Sequence, residues 1–344
     1  MNRNSSIELL RIISIFLIVM MHICALLDYD NSLLSNKLFL ILVNSIGNIG
    51  VSCFVFISGY YGVNFKIHKF MYLVSITILY IWFVELLVGR YDNLLKYVIQ
   101  SLPACKMWFI SCYLILMLLS KYLNRFAETL MAKEYKKMLL ISCVIFCVIP
   151  VFFKTGDNNV ILHFGGKNLS YFIFLYLIGR YIKLHHDVNY KSWKLIMTHI
   201  SATLIIFCLN VLSRLVFQKE NMVYSYDCSP LILISALSVF YYFKHFVYSS
   251  RVINYIASSV LAFYLLNNIY LFIDKYIQLT SYSNSPLFII QTFELLFLVW
   301  ISSLIIDKTI GHLLSKVVIY TTHRIKDFFH AIKRTALIKD WLGE

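Results

Sequence analysis

The fold of the chain is decided first by residues 7–27, which read IELLRIISIFLIVMMHICALL. About 20 apolar residues are enough for a helix to cross a bilayer, so this stretch predicts a transmembrane helix. Three ionisable residues interrupt it, namely Glu8, Arg11 and His22. Because a helix rises 1.5 Å and turns about 100° per residue, His22 is expected roughly 16 Å beyond Arg11 on nearly the same face. Glu8 lies one turn before Arg11, so the three residues form a polar stripe.

Two interpretations of the polar stripe are open. Glu8 and Arg11 could lie at the membrane surface, with the arginine side chain reaching the headgroups as a topology anchor. Anchoring does not explain the imidazole of His22, which lies about three turns deeper on the same face. Ionisable groups at such depth usually face a protein interior or a wet cavity. We therefore favour a functional site that faces an internal cavity.

The composition of the whole chain agrees with a membrane protein. Of 344 residues, 60% are hydrophobic and only 14% are charged, which is unlike a soluble globular domain. The net charge of +14 does not indicate a nucleic-acid partner, because the basic residues are dispersed between apolar segments. The sequence predicts an all-α, multi-pass bundle of transmembrane helices whose surroundings are membrane lipid.

Ten apolar segments predict about ten spans. Most of the 31 Lys and Arg residues fall on the side of the membrane that holds the N-terminus, so the positive-inside rule predicts that both termini are cytoplasmic. The predicted spans are residues 7–27, 38–58, 70–89, 107–122, 138–153, 169–183, 195–217, 230–248, 256–274 and 287–306.

The C-terminal segment, residues 309–344, differs in character. Apolar residues recur there at near-helical spacing and alternate with Lys and Arg, which predicts a basic amphipathic helix on the anionic inner leaflet. The chain would then divide into a transmembrane domain, residues 1–308, and a cytoplasmic tail. A role of the tail in gathering an anionic cofactor is the alternative to simple anchoring.

Cysteines and histidines do not predict a metal site. The eight cysteines include no C-x-x-C pair, and only Cys105 and Cys228 fall in predicted outer loops, so a disulfide between them stays open. His185 and His186 have no carboxylate or cysteine partner at a convincing ligand spacing.

Four motifs, taken in order, resemble the acyltransferase-3 family of bacterial membrane acyltransferases. In that family an arginine is followed by ten residues and a histidine in the first span, often with an acidic residue one turn before the arginine, as Glu8, Arg11 and His22 are here. The other three motifs are CFVFISGY at 53–60, Trp108-Phe109 at the start of the fourth span, and FIFLYLIGR at 172–180.

The chain departs from the family pattern in two places. After Ser-Gly the family often has an arginine-rich segment, whereas residues 65–69 read FKIHK and cannot form the planar fork that arginine offers a phosphate. Near the ninth span the family often has Tyr-Leu-x-His, whereas residues 263–268 read FYLLNN and lack that imidazole.

The resemblance implies an enzyme of the bacterial inner membrane. It would move an acyl group, expected to be acetyl, from acyl-CoA to a hydroxyl of a cell-surface or lipid-linked polysaccharide, with no permanently bound cofactor. Transfer from a thioester to a hydroxyl needs a base or an acyl carrier, and donors for the developing oxyanion. His22 is the candidate base or carrier, Arg11 would bind donor phosphate or orient a partner, and Glu8 would hold Arg11.

Further candidates line the predicted donor and acceptor routes. On the cytoplasmic face we expect Lys66, Lys69 and Arg180 to attract the phosphates of CoA. Ser58 and Gly59 allow close backbone approach to a ligand, although tight helix packing is an equal explanation for the glycine. Aromatic residues that could line a substrate pocket are Tyr60 and Trp108.

Two other function classes compete with the enzyme. A transporter or flippase for a lipid-linked glycan is compatible with ten spans, but no repeated halves or paired broken helices are evident in the sequence. A structural partner in a polysaccharide synthesis complex would tolerate replacement of Arg11 and His22. Consumption of acyl-CoA by the purified protein distinguishes the enzyme from both.

Overall fold

A computed structural model describes residues 4–89, 107–153, 164–218, 222–313, 316–320 and 324. Every regular element in these ranges is helical, which confirms the predicted all-α class. The helices, in chain order, are α1 (Ser5–Cys24), α2 (Leu34–Gly47), α3 (Ile49–Tyr61), α4 (Ile67–Val88), α5 (Trp108–Thr129), α6 (Ala132–Phe152), α7 (Leu169–His185), α8 (Ser192–Leu215), α9 (Pro230–His245), α10 (Arg251–Ala257), α11 (Val260–Leu265), α12 (Ile269–Ile277) and α13 (Leu287–Gly311).

The described helices make the chain an integral membrane protein. Eight of them are long and apolar enough to cross a bilayer, with α2 and α3 joined as one span, and the number is nine if a bent pair counts as a crossing. Helix α7, with 17 residues, lies at the short limit for a crossing. The total of about ten spans stays a prediction.

The bent pair lies at the predicted ninth span, residues 256–274. There the segment Arg251–Leu265 is followed by α12 at an angle of 81°, so the segment is a broken helix. The bend lies at Asn267 and Asn268, a residue type whose side chain competes with the backbone for hydrogen bonds and favours turns. The break places Asn267 inside the bundle, where it is 5% exposed.

Helix α1 is central to the bundle. Its first turn is capped by the side chain of Asn4, which accepts from the Ser6 N–H at 3.1 Å. Gly50 of α3 lets the two helices approach closely, because a Cβ at that position would lie 2.7 Å from the Ser14 carbonyl oxygen. On other sides α1 contacts α2, α9, α10, α11 and α13.

The two ends of the bundle are named here after the residues of α1. The Arg11 end holds the start of α1, where the Ser5 N–H donates to the Tyr248 carbonyl oxygen at 2.8 Å. The His22 end holds the end of α1 and the turn after α12, where Thr280 donates to the Leu26 carbonyl oxygen at 3.1 Å.

The predicted C-terminal helix lies largely outside the described residues, as do Cys105 and the loop that ends at residue 163. Helix α13 continues past the predicted domain boundary at residue 308 to Gly311, through a π-helical turn that begins at Asp307. The division into a transmembrane domain and a cytoplasmic tail therefore stays a prediction.

Candidate active site

A cavity of about 340 Å³ is lined by Glu8 and Arg11 of the predicted polar stripe, whereas His22, its third member, is not among the lining residues. It lies between α1, α3, α4, α5 and the α10–α11 segment. Its lining is polar towards the Arg11 end and apolar or aromatic further along. The lining residues are Glu8, Arg11, Ile18, Phe54, Ser58, Leu73, Phe109, Ile110, Tyr113, Ala257, Ser258, Val260, Leu261 and Tyr264.

An ion pair forms the polar side of the cavity. Arg11 Nη1 lies 3.5 Å from Glu8 Oε2, and the arginine side chain is 39% exposed whereas the glutamate side chain is 11% exposed. The hydroxyls of Ser58 and Ser258 line the same cavity. The buried carboxylate holds the guanidinium in place and leaves the positive group free to meet an anion.

The far part of the cavity is formed by aromatic rings. Phe109 of α5 is the central one: its ring centroid lies 5.4 Å from that of Tyr264 and 6.1 Å from that of Phe54. Ile18 of α1 lines the cavity beside them. Such a surface suits an apolar or amphipathic chain better than a free anion.

One turn beyond these lining residues, two helices bring polar groups together. On α1, His22 follows Ile18 by one turn, and after α11, Asn267 follows Tyr264 by one turn. The side-chain amide of Asn267 is hydrogen-bonded to His22 Nδ1. Asn267 is buried, whereas His22 as a whole residue is exposed, so the hydrogen bond links a buried amide to an accessible histidine.

Comparison with known proteins agrees with this geometry. A family model, acyltransferase 3, described as an acyltransferase domain, matches residues 4–307. The chain belongs to the acyltransferase-3 family. It is therefore a membrane acyltransferase, and the match spans every helix that lines the cavity. The search of curated proteins and the search of solved structures returned no match.

Asn267 was not among the residues that the sequence predicted for the site, yet it contacts the candidate base His22. The sequence showed only that an imidazole was lacking in the FYLLNN segment at 263–268. The structure shows that this segment bends towards α1, so that an amide from it meets His22. The absence of the histidine was thus the available signal, but nothing in the sequence identified a contact partner for the segment.

The two lysines that the sequence predicts to bind the donor lie at the start of α4 of the acyltransferase. Lys66 and Lys69 are both exposed, and Lys69 precedes the cavity-lining residue Leu73 by one turn. Residues four apart lie on the same face of a helix, so Lys69 is on the face of α4 that carries Leu73. Neither lysine lines the cavity itself.

Arg180 and Gly59 belong to a packing contact away from the cavity. The guanidinium of Arg180 pairs with Glu128, at 2.9 Å between Nη2 and Oε1, and packs against Gly62. Gly59 of α3 meets Gly179 of α7, and a Cβ on Gly179 would lie 2.9 Å from the Gly59 Cα. The structure does not bring these two predicted donor-binding residues to the cavity; it places them in a close helix crossing.

Tyr60 and Trp108, predicted to line the substrate pocket, also lie elsewhere. The Tyr60 hydroxyl donates to Asp187 Oδ2 at 3.0 Å, beside the ammonium groups of Lys183 and Lys244. Trp108 begins α5 and packs against the neighbouring Phe109 ring, with centroids 6.0 Å apart. Their roles as substrate contacts stay predictions.

A second polar network joins the cavity wall to α4 and α13. Asp307 accepts hydrogen bonds from the Tyr80 hydroxyl at 2.7 Å and from the Ser259 hydroxyl at 2.6 Å. The adjacent Lys308 donates to Ser258, which lines the cavity, at 2.6 Å. These hydrogen bonds hold Ser258 and Ser259 at the break between α10 and α11, and they therefore stabilise one wall of the cavity.

Metal chemistry has no support in the described part of the chain. Among those residues, no group of three or more His, Cys, Asp or Glu side chains is arranged to hold an ion.

Proposed function

We propose that the chain transfers an acyl group, expected to be acetyl, from acyl-CoA to a hydroxyl of a cell-surface or lipid-linked polysaccharide. The observation that carries the proposal is the order of groups along the cavity and just beyond its lining. A cation lies at one end, an aromatic passage follows, and the His22–Asn267 pair lies one turn beyond the passage.

The donor fits this order in shape and charge. CoA has a polyanionic nucleotide head, a flexible pantetheine arm and a reactive thioester at the far end. We place the phosphates near Arg11, with Lys69 and Lys66 adding positive potential at the start of α4. The arm would follow the passage past Phe109 and Tyr264, which directs the thioester towards His22.

This placement sets the orientation of the protein. Because acyl-CoA is made in the cytoplasm, the Arg11 end would face the cytoplasm, in accord with the termini predicted from the Lys and Arg distribution. The His22 end would face outwards from a bacterial inner membrane. His22 is exposed on that side, so a glycan hydroxyl could approach it from the opposite direction.

Two chemical routes use the same imidazole. In the first, a neutral nitrogen of His22 takes the hydroxyl proton while the hydroxyl oxygen attacks the thioester carbonyl. The C–S bond then breaks, and the CoA thiolate takes the proton back. In the second, the nitrogen itself attacks the thioester carbonyl, and the C–S bond breaks to release the CoA thiolate. The hydroxyl oxygen then attacks the acyl-imidazole, the C–N bond breaks to free His22, and the hydroxyl proton goes to the thiolate.

The test uses purified protein in lipid nanodiscs with acetyl-CoA and a glycan fraction from the native membrane. We expect thiol release and acetylated glycan by mass spectrometry from the wild type, and neither from His22→Ala. His245→Ala is the matched control, because His245 is an exposed histidine away from the cavity at the Arg11 end.

Retained acetylation in His22→Ala would remove His22 from the mechanism. A protein that binds glycan, releases no thiol from acyl-CoA and still moves lipid-linked glycan between leaflets would be the transporter instead. Unchanged insertion of the variant, checked by its yield in the membrane fraction, separates loss of chemistry from loss of fold.

A further inference from the structure

Asn267 reaches His22 from the bend between α11 and α12, and it occupies the Nδ1 side of the ring. Asn267 is 5% exposed, so its amide is packed among the surrounding helices. Any chemistry of His22 in the proposed transfer must therefore use its other nitrogen, Nε2.

The hydrogen-bond partner of Nδ1 determines whether Nε2 carries the ring proton. A neutral imidazole carries one N–H, so one nitrogen is a donor and the other an acceptor. If the amide NH₂ of Asn267 faces Nδ1, the ring proton is on Nε2, which then has no lone pair for a proton or an acyl group. If the amide oxygen faces Nδ1, the proton is on Nδ1 and Nε2 is free.

The two orientations of the amide differ only by a rotation that exchanges oxygen and nitrogen. In the structure Nδ2 of Asn267 faces Nδ1 of His22, and the buried Oδ1 has no hydrogen-bond partner among the described residues. With the two ends exchanged, Oδ1 gains the Nδ1–H as its donor. The exchanged orientation therefore pairs the buried oxygen and also frees Nε2, as the proposed chemistry requires.

We infer that Asn267 is a positioning residue that presents its side-chain oxygen to Nδ1–H of His22 and so keeps Nε2 unprotonated for the acyl transfer. The inference rests on the proposed function, because both the base route and the acyl-carrier route require a lone pair on Nε2. In this role Asn267 sets the tautomer of the His22 imidazole and does not contact the substrate.

The decisive measurement is ¹⁵N NMR of protein in nanodiscs with ring-labelled histidine, recorded with the imidazoles neutral. The His22 resonances are identified by their loss in His22→Gln, since the chain has 10 histidines. We expect the Nδ1–H pattern in the wild type and in Asn267→Asp, whose carboxylate only accepts. An Nε2–H pattern in the wild type would overturn the inference.

Kinetics give the second readout. Asn267→Leu should lower kcat by about 10²-fold or more, the scale seen when the group that orients a catalytic imidazole is removed, and leave KM for acetyl-CoA within about twofold. Asn267→Asp should keep most of the rate. Equal losses in both variants would contradict a tautomer role. An Nδ1–H pattern in protein that never releases thiol would refute the proposed function and leave the tautomer assignment standing.

Discussion

Glu8 and Arg11 form an ion pair on the wall of the cavity, 3.5 Å between Oε2 and Nη1, in which the carboxylate is the buried member and the guanidinium the accessible one. The pair is oriented by α1 alone, since the residues are three apart on one helix.

Arg11→Ala is expected to weaken donor binding more than turnover. A hydrogen bond to a charged group contributes about 1.5–3 kcal/mol, so KM for acetyl-CoA should rise by roughly 10-fold to 100-fold with a smaller change in kcat. The KM of Arg11→Lys for acetyl-CoA should lie between those of the wild type and Arg11→Ala, because an ammonium group cannot bind a phosphate bidentately. The measurement is steady-state thiol release.

The control for Arg11 is a shortened donor. An acetyl thioester of pantetheine lacks the nucleotide and its phosphates, so the wild type and Arg11→Ala should use it with equal KM. A KM penalty of the same size with the shortened donor would show that Arg11 acts on something other than the nucleotide phosphates.

The crossing of α3 and α7 should tolerate no side chain at Gly179. A Cβ there would lie 2.6 Å from the Phe56 carbonyl oxygen and 2.9 Å from the Gly59 Cα, both backbone atoms that cannot move aside. We expect Gly179→Ala to destabilise the protein by about 1–3 kcal/mol, seen as a lower Tm in nanodiscs.

A matched variant for that test is Gly47→Ala. Its closest neighbours, at 2.6 Å, are the Cγ and Sδ atoms of Met21, a flexible side chain that can change rotamer. Gly47→Ala should therefore lower Tm less than Gly179→Ala. The reverse order would show that the close contact of α3 with α7 is not what limits stability.

Asp187 gives the protein an acid-sensitive contact at the Arg11 end. The hydrogen bond from Lys244 is the main reason that the pKa of Asp187 lies below its ordinary value of 3.8, and the Tyr60 hydroxyl and Lys183 act in the same direction. A lowered folded-state pKa means that the ionised carboxylate stabilises the fold above about pH 4, and that this contribution is lost as the pH falls through the lowered value.

Asp187→Asn should therefore lower Tm at pH 7 and flatten the dependence of Tm on pH below about pH 4. The comparison is of wild type and variant by thermal unfolding in nanodiscs across that range. Parallel curves for the two proteins would show that Asp187 does not contribute to the acid sensitivity.

The Asp307 network is expected to behave as a coupled unit. Replacing Asp307 with Leu leaves the hydroxyls of Tyr80 and Ser259 without their acceptor and releases the wall that carries Ser258. Each buried unsatisfied polar group costs about 1–3 kcal/mol, whereas Tyr80→Phe removes one hydrogen bond and should cost about 1 kcal/mol.

A double-mutant cycle measures this coupling. The double variant should lose less free energy of unfolding, derived from Tm, than Tyr80→Phe and Asp307→Leu lose in sum. The reason is that the Tyr80 hydroxyl has already lost its acceptor in Asp307→Leu. Additive costs would place the two residues in separate interactions.

The predictions from sequence that agree with the structure rest on local patterns along the chain. Apolar segments located the helices, and the 100° step of a helix aligned Glu8 and Arg11 on the face that lines the cavity. Tyr60, Trp108 and Arg180 could not be placed in this way, because a motif says which residues are neighbours in sequence and not which helix they face.

Composition and a period of 3.6 residues were enough to establish the all-α membrane class and the polar stripe of α1. The packed fold was needed to show that the amide of Asn267 meets His22, 245 positions away in the chain, and that Gly59 packs against Gly179. Contacts between helices depend on bends and close approaches of the packed bundle, and no local periodicity encodes them.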